Sequence, residues 1–409
     1  MEHRLYTLEN GLRVVHVPTT SPVVYLGYRI AAGTRNEQVG EEGLAHLCEH
    51  ATFKGTQRRR AWQIMSTLER VGGDLNAFTT KEDTTYHAAV LREHTALAVD
   101  LLTDIVFHSV YPDHEIEKEK EVVCDEIESY NDSPAELIYD EFENILFANH
   151  PLGHNILGSA ERVRSFTSAD VKRFTAQHYR PDNAVLFIYG TPKGRLTLPA
   201  AVVSEGTTLP VDAGLSVGQT SLDRLAEPVH AVKNLSTHQA HVMLGQRAYP
   251  VGHPLSTALF LLNNMLGGPG MNARLNMSLR ERHGLVYTVE SSLGCYRDTA
   301  TWAVYFGCDP KDVDRCIRLV KKELQRFVET PLSQAQLRAA CRQLKGQLGV
   351  ACDSKESFAL DLSKSFLHQG KVRSLEQRTA EIDLLTPEQL RQAARETFDA
   401  DRLCTLVYK

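Results

Sequence analysis

The chain has no C-x-x-C pair, although it holds eight cysteines, at positions 48, 124, 295, 308, 316, 341, 352 and 404. Scattered thiols of this kind exclude a four-cysteine zinc module and fit reduced cysteines in a cytoplasmic protein. No apolar run reaches the length of a membrane span. There is no excess of positive charge either. A net charge of −6 gives no footing for nucleic acid or an anionic membrane. The start, Met1-Glu-His-Arg-Leu-Tyr6, enters an alternating, strand-like pattern at once, without a basic-then-apolar leader, so the expectation is no signal peptide. What remains is ordinary. With 42% hydrophobic and 23% charged residues over 409 positions, the chain reads as soluble, globular and long enough for two domains.

One stretch is not ordinary. Gly43-Leu-Ala-His-Leu-Cys-Glu-His-Ala-Thr-Phe-Lys-Gly-Thr56 contains His46, Glu49 and His50 in the pattern H-x-x-E-H. On a helix, His46 and His50 lie one turn apart on the same face, where two imidazoles can grip one metal ion. Glu49 sits beside them, able to take a proton from a water at the metal. The pattern is the inverse of H-E-x-x-H. Two histidines four apart also arise by chance, and a zinc site needs a third protein ligand, so the motif demands a partner elsewhere. Cys48 faces away from the two histidines and reads as packing.

Taken in order, residues 4–17 and 22–31 read as strands, the first interrupted by an Asn10-Gly11 turn. Helices are expected at 61–71 and 94–108, with one or two strands over 74–90. Pro112 opens a strongly charged helix running to Glu128. Its default reading is a solvated face of i,i+4 pairs. Val122, Val123 and Ile127 nevertheless predict a buried stripe, and Glu119 and Glu126 lie seven apart on one line. A carboxylate of this helix could complete the metal site, but composition does not say which. Helices at 135–149 and 167–178, the second with a capping-box start, lead to a strand at 183–189. Residues 201–228 read as a linker.

Beyond it the chain repeats itself. Leu26, Gly27 and Arg29 are matched in the second half, at one constant offset, by Leu244, Gly245 and Arg247. Thr167, Tyr179, Asp182 and Tyr189 are matched at nearly the same offset by Thr386, Phe398, Asp401 and Tyr408. This predicts an α+β fold of two homologous domains, residues 1–200 and 229–409, each a mostly antiparallel sheet with helices on one face. The second copy has Leu262-Asn-Asn-Met-Leu266 near the metal-motif position, so only the first can hold metal in this way. The Gly-rich run after Leu266 opens a helix ending near Gly284. A phosphate loop is a weak reading of it, because the G-K-[ST] ending is absent.

Together these pieces resemble the M16 (pitrilysin, or insulinase-like) zinc metallopeptidases over nearly the whole chain. Leu8-Glu-Asn-Gly-Leu-Arg-Val14 is similar to the family's first strand and turn, and Gly43–Thr56 to its zinc motif. The resemblance implies a third ligand well downstream of the motif, as the second glutamate of an E-x6-E pattern. Glu126 fits in both pattern and distance from His50, with Glu119 as its supporting glutamate. Glu121 and Glu128 share the spacing, which leaves a shifted register open. One Zn2+ per chain, held by His46, His50 and Glu126 with Glu49 as general base, is therefore implied.

The resemblance also makes Asn76, Ala77 and Phe78 part of a substrate-facing edge strand. Arg280 and Tyr287 match a pair that reaches the substrate backbone, against the bland readings of a helix salt bridge and a packed strand residue. The chain resembles the short bacterial type, in which two chains close as halves of a clamshell around a peptide substrate. A homodimer, or a heterodimer with a related chain, is implied, and hydrolysis of peptides or unfolded segments inside a chamber. The rival reading is a non-catalytic binding or assembly subunit that keeps the metal site as a relic. Whether such a peptidase matures one precursor or degrades peptides generally is not legible.

Overall fold

The computed structural model describes residues 3–194, 196, 204–205, 227–235 and 237–409. Most of the expected linker, 201–228, lies outside the described residues. The chain divides into two compact units. One comprises residues 1–129, 154–212 and 351–374, the other 130–153, 213–350 and 375–409.

Among the described residues, the first unit is built on seven strands, β1 (Arg4–Thr7), β2 (Arg13–Val17), β3 (Val23–Ile30), β4 (Asp74–Thr79), β5 (Thr84–Leu91), β6 (Ala184–Tyr189) and β7 (Ser204–Glu205). Their order is β4-β5-β3-β6-β2-β1-β7, antiparallel except for the β2–β6 pair. The second unit has β8 (His230–Lys233), β9 (Ala240–Ala248), β10 (Val286–Cys295), β11 (Ala300–Cys308) and β12 (Cys404–Tyr408). Their order is β10-β11-β9-β12-β8, with β8–β12 the parallel pair. Strand for strand this is the pattern β4-β5-β3-β6-β2 again. The repeat read from a few identities is thus a repeat of topology.

The identities have physical reasons. A Cβ on Gly27 would stand 2.3 Å from the carbonyl oxygen of Tyr86, and one on Gly245 would stand 2.1 Å from that of Trp302. At both positions the neighbouring strand comes too close for any side chain. Thr167 and Thr386 each accept a backbone N–H three residues on and cap equivalent helices, Ser168–His178 and Pro387–Thr397.

Strand alternation sorts each sheet's residues between two apolar layers. In the first unit Val14, Leu26, Tyr28 and Leu186 join the layer of helices Leu44–Thr52 and Thr95–His108. Val15, Val17, Val185 and Phe187 face the other way, onto Phe358, Leu362 and Phe366 of helix Lys355–Gln369. In the second unit Met243, Tyr305, Leu406 and Tyr408 are covered by Ile138, Phe142 and Leu146 of helix Pro134–Leu146. The units therefore differ from the expected division at 200 and 229. Among the described residues, each sheet has one helix on its second face, drawn from the other half of the sequence. The apolar stripes of those helices do not say which sheet they cover.

A buried ionic cluster fixes the helix on the first sheet. Arg29 donates to Asp83 at 2.7 Å and to Ser363 at 3.0 Å, and His368 lies 2.8 Å from the other Asp83 oxygen. Burial alone would raise the Asp83 carboxyl. The Arg29 charge and the His368 contact outweigh this and hold it below its ordinary 3.8. Its stabilisation is therefore complete above about pH 4 and is lost as acid titrates the folded carboxyl. Asp83→Ala is expected to cost about 3–5 kcal/mol, because Arg29 is left buried and unpaired. Urea unfolding of the variant against the parent measures it, and a loss below about 1 kcal/mol would refute the assignment.

Candidate metal centre

The motif stretch forms the helix Leu44–Thr52. Gly43 begins it with φ of 96°, a left-handed turn that glycine adopts without cost. The Glu37 carboxylate accepts the backbone N–H groups of Gly43 and Ala45, and His154 lies 2.8 Å from it. Orphan donors at the helix start are thereby satisfied, and the helix entry is fixed. Leu44, Leu47, Cys48 and Ala51 are buried in the core, which turns the His46–His50 face outward from it.

The charged helix spans Asp113–Asn131, with two acids in its first turn. Its buried stripe is Ile116, Glu119, Val123 and Ile127, whereas Val122, expected inside, is 50% exposed. Glu119 and Glu126 both meet the motif helix. His50 Nδ1 lies 2.9 Å from Glu119. Glu126 Oε2 lies 3.4 Å from His50 Nε2 and 3.8 Å from His46 Nε2. Glu121, by contrast, is exposed and pairs with Arg164, and Glu128 is exposed. The carboxylate that joins the two imidazoles is the one at 126.

The donor atoms of His46, His50 and Glu126 all lie within 4.8 Å of one another. Zinc bonds of about 2.0–2.2 Å at tetrahedral angles require donor separations of roughly 3.3–3.6 Å. The two shorter separations here are within a few tenths of an ångström of that. Two imidazoles and one carboxylate are also the donor set of a zinc site that keeps a position open. Glu126 is about half exposed, so water has access from its side.

The electrostatics agree. Burial and the neighbouring His50 charge push His46 down to about 4. Burial also pulls at His50, but the Glu119 and Glu126 carboxylates hydrogen-bonded to it outweigh this and raise it to about 9. A proton is thus held between His50 and Glu126, where a divalent cation would replace it. Glu119 is held below the usual carboxylate range. Burial opposes this, but His50 and Lys54, the latter at 2.5 Å, prevail. An ionised Glu119 accepts the His50 Nδ1–H, so a cation that displaces the second ring proton would meet the Nε2 lone pair on the Glu126 side.

Glu49 is nearly buried and accepts a hydrogen bond of 2.6 Å from Thr79 Oγ1. Burial raises its pKa, against the opposing effect of that bond. Sequence reasoning missed Thr79, Lys54 and Glu37. Lys54 could have been found, since it is a basic residue in the turn that directly follows the motif helix. Thr79 directly follows Asn76-Ala77-Phe78 on β4, which is an open edge of its sheet. Ala77 packs against the core, whereas Phe78 stacks near Arg29 and His87.

In the second unit, Arg280 lies near the end of a π-helical segment, Asn276–Arg282, and Tyr287 lies on edge strand β10. The guanidinium stands 5.7 Å from the Tyr287 ring centroid, and that residue is 81% exposed. The two share a groove of about 480 Å3 with the Gly267–Met271 turn. Tyr287 is therefore not a packed strand residue. Among the described residues no helix is long and apolar enough to cross a membrane.

Known proteins resemble this chain over most of its length. Residues 13–160 match the insulinase (peptidase family M16) model, and residues 165–344 match the M16 inactive-domain model. The chain is 32% identical to an uncharacterized zinc protease of Bacillus subtilis, over 98% of this chain and 97% of that one. It is 27% identical to the bovine mitochondrial-processing peptidase subunit beta, over 96% and 81% of the two chains. The fold matches the crystal structure of a peptidase M16 inactive domain from Pseudomonas fluorescens with a TM-score of 0.85, at 20% identity, covering 100% of this chain and 98% of that one. Two family models in succession, and the Bacillus relative aligned over almost the full length of both chains, establish that this chain belongs to peptidase family M16, the insulinase family.

Proposed function

We propose that the chain is a zinc-dependent endopeptidase acting on peptides or unfolded segments. The observation that carries this is the meeting of His46, His50 and Glu126 within 4.8 Å, on two separate helices, with Glu49 beside them on the first. His46, His50 and Glu126 would hold the zinc. The chemistry the ion supplies when bound is Lewis acidity, which polarises the scissile carbonyl and brings the pKa of a water towards neutrality.

The rest belongs to the chain. Glu49, fixed by Thr79, takes one proton from the attacking water as its oxygen bonds to the carbonyl carbon. It then passes that proton to the amine nitrogen as the C–N bond breaks. Its burial suits a group that must carry a proton between the two events. Glu119, steadied by Lys54, orients His50. Asn76, Ala77 and Phe78 on the open edge of β4 offer backbone groups to an extended peptide. Arg280 and Tyr287 steady the substrate backbone or the developing oxyanion, with a second copy of the chain closing a chamber.

The deciding experiment is a fluorogenic peptide assay on the purified chain alone, with zinc analysis and a solution mass. Cleavage that chelator stops and zinc restores is the expected result. A zinc-loaded dimer that cleaves nothing would favour the assembly-subunit reading. Glu119→Ala is expected to loosen zinc binding by about 10–100-fold with the fold intact. Competition with a chromogenic chelator, alongside circular dichroism, measures this. Unchanged affinity would remove Glu119 from the supporting role.

A further inference from the structure

Strand alternation decides which backbone groups of β4 a docking peptide can reach. The Tyr86 carbonyl oxygen would stand 2.3 Å from a Cβ on Gly27, so it points towards β3. The N–H and C=O of one strand residue point to the same side, so Tyr86 gives both to β3. Its partner on β4 is Ala77, which therefore turns its own N–H and C=O away from β5, to the open edge. The neighbours agree. The carbonyl oxygen of Ala89, also on β5, would stand 3.3 Å from a Cβ on Gly73, on the β4 side, and the Thr80 N–H donates to Asp83 at 2.8 Å. Of the stretch 76–78, Ala77 is thus the residue whose backbone meets an incoming strand. The side chains of Asn76 and Phe78 stand on the opposite face of the sheet from that of Ala77.

That outward donor is already taken. The Ala77 N–H donates to Oδ1 of Asn76 at 2.8 Å. The bland reading is a local habit of asparagine, whose short side chain bonds nearby backbone. The position argues for more. An unpaired strand edge is a template for other strands, and a polar group folded over it hinders that pairing. The covered donor also lies two residues before Thr79, whose hydroxyl holds Glu49 at 2.6 Å. By the same alternation Thr79 turns its backbone to the open edge. A strand paired at Ala77 and Thr79 would run past Glu49, and all of these residues belong to one unit.

We propose that Asn76 is a guard on this edge: its carboxamide oxygen occupies the place that a main-chain carbonyl of the substrate takes, and an extended peptide binds by displacing it. The proposal rests on the peptidase reading for its occupant and narrows that occupant. Pairing with Ala77 takes a peptide carbonyl for its N–H and a peptide N–H for its C=O. The substrate is then an extended segment without proline at the residue whose nitrogen meets Ala77. A folded protein, whose backbone groups are already bonded to one another, does not qualify.

The test uses the full-length zinc-loaded protein and an uncharged, end-blocked fluorescent peptide. Binding is read by anisotropy in the Glu49→Gln background, which keeps the peptide whole, and cleavage is read separately in the parent. Asn76→Ala removes the guard and is expected to bind the peptide roughly 2–10-fold more tightly, the net worth of one hydrogen bond. Asn76→Asp keeps an acceptor, now charged, and is expected to bind more weakly than asparagine does. Hydrogen exchange at the Ala77 amide of the free protein is expected to be faster in Asn76→Ala, which reads the guard without any peptide. In a series of peptides methylated at one backbone nitrogen at a time, one position is expected to lose binding. Equal or weaker binding by Asn76→Ala overturns the proposal, the weaker case by making the carboxamide a contact of the substrate, and a parent that cleaves leaves the peptidase reading standing. The expected order of binding in a chain that cleaves nothing supports the guard while the peptidase reading fails. No binding to any of the three proteins, or unchanged exchange at Ala77, overturns it.

Discussion

Glu49→Gln is expected to retain zinc at the parent's affinity and to lose roughly 10²–10⁴-fold in turnover, the range general acid–base groups supply. The two halves of that expectation have separate causes. Glu49 lies beside the donor cluster, not in it, since the three groups that meet are His46, His50 and Glu126. Glutamine is nearly isosteric and can still accept the Thr79 hydroxyl that now holds Glu49 at 2.6 Å. Position and packing therefore survive, and what disappears is the ability to take a proton. A variant with full activity would remove Glu49 from the role of base. A variant that had lost its zinc would instead place Glu49 among the ligands. Metal analysis and single-turnover kinetics on one preparation separate these outcomes.

Much of this centre was legible because helical geometry turns spacing into direction. Residues four apart share a face, which brings His46 and His50 together. Seven residues return to nearly the same line, which aligns Glu119 with Glu126. The repeat was legible for another reason. Gly27 and Gly245 sit where a neighbouring carbonyl oxygen leaves no room for a side chain, so these positions keep their identity when others drift. Val122 failed as a buried position because the helix turns its core face along Ile116, Val123 and Ile127, one step round from it. The helices Pro134–Leu146 and Lys355–Gln369 were found as helices or left unread, and in neither case was the sheet they cover named. An apolar stripe states that a face is covered without naming the partner, and here the cover comes from the far half of the chain. Thr79 was missed because one hydroxyl at a strand end carries no periodic signal.

Glu126→Ala is expected to lose zinc by more than the roughly 10–100-fold that removal of an outer group costs, while Glu128→Ala stays within about twofold of the parent. Sequence spacing treats the two alike, since each ends an E-x6-E pair. The helix does not. Two residues are a rotation of about 200°, so side chains at 126 and 128 leave nearly opposite sides. Glu126 stands 3.4 Å from His50 Nε2, and Glu119, seven residues before it, reaches the other nitrogen of the same ring. Glu121, seven residues before Glu128, is engaged instead with Arg164 at the surface. Each pair therefore moves as a set, and the set at 119 and 126 holds His50 from both nitrogens. Zinc content after dialysis, for the parent and both single variants, reads the difference directly. Loss of zinc in Glu128→Ala with retention in Glu126→Ala would mean that this helix is turned by half a revolution from the arrangement described, and Glu119 would lose its role with it.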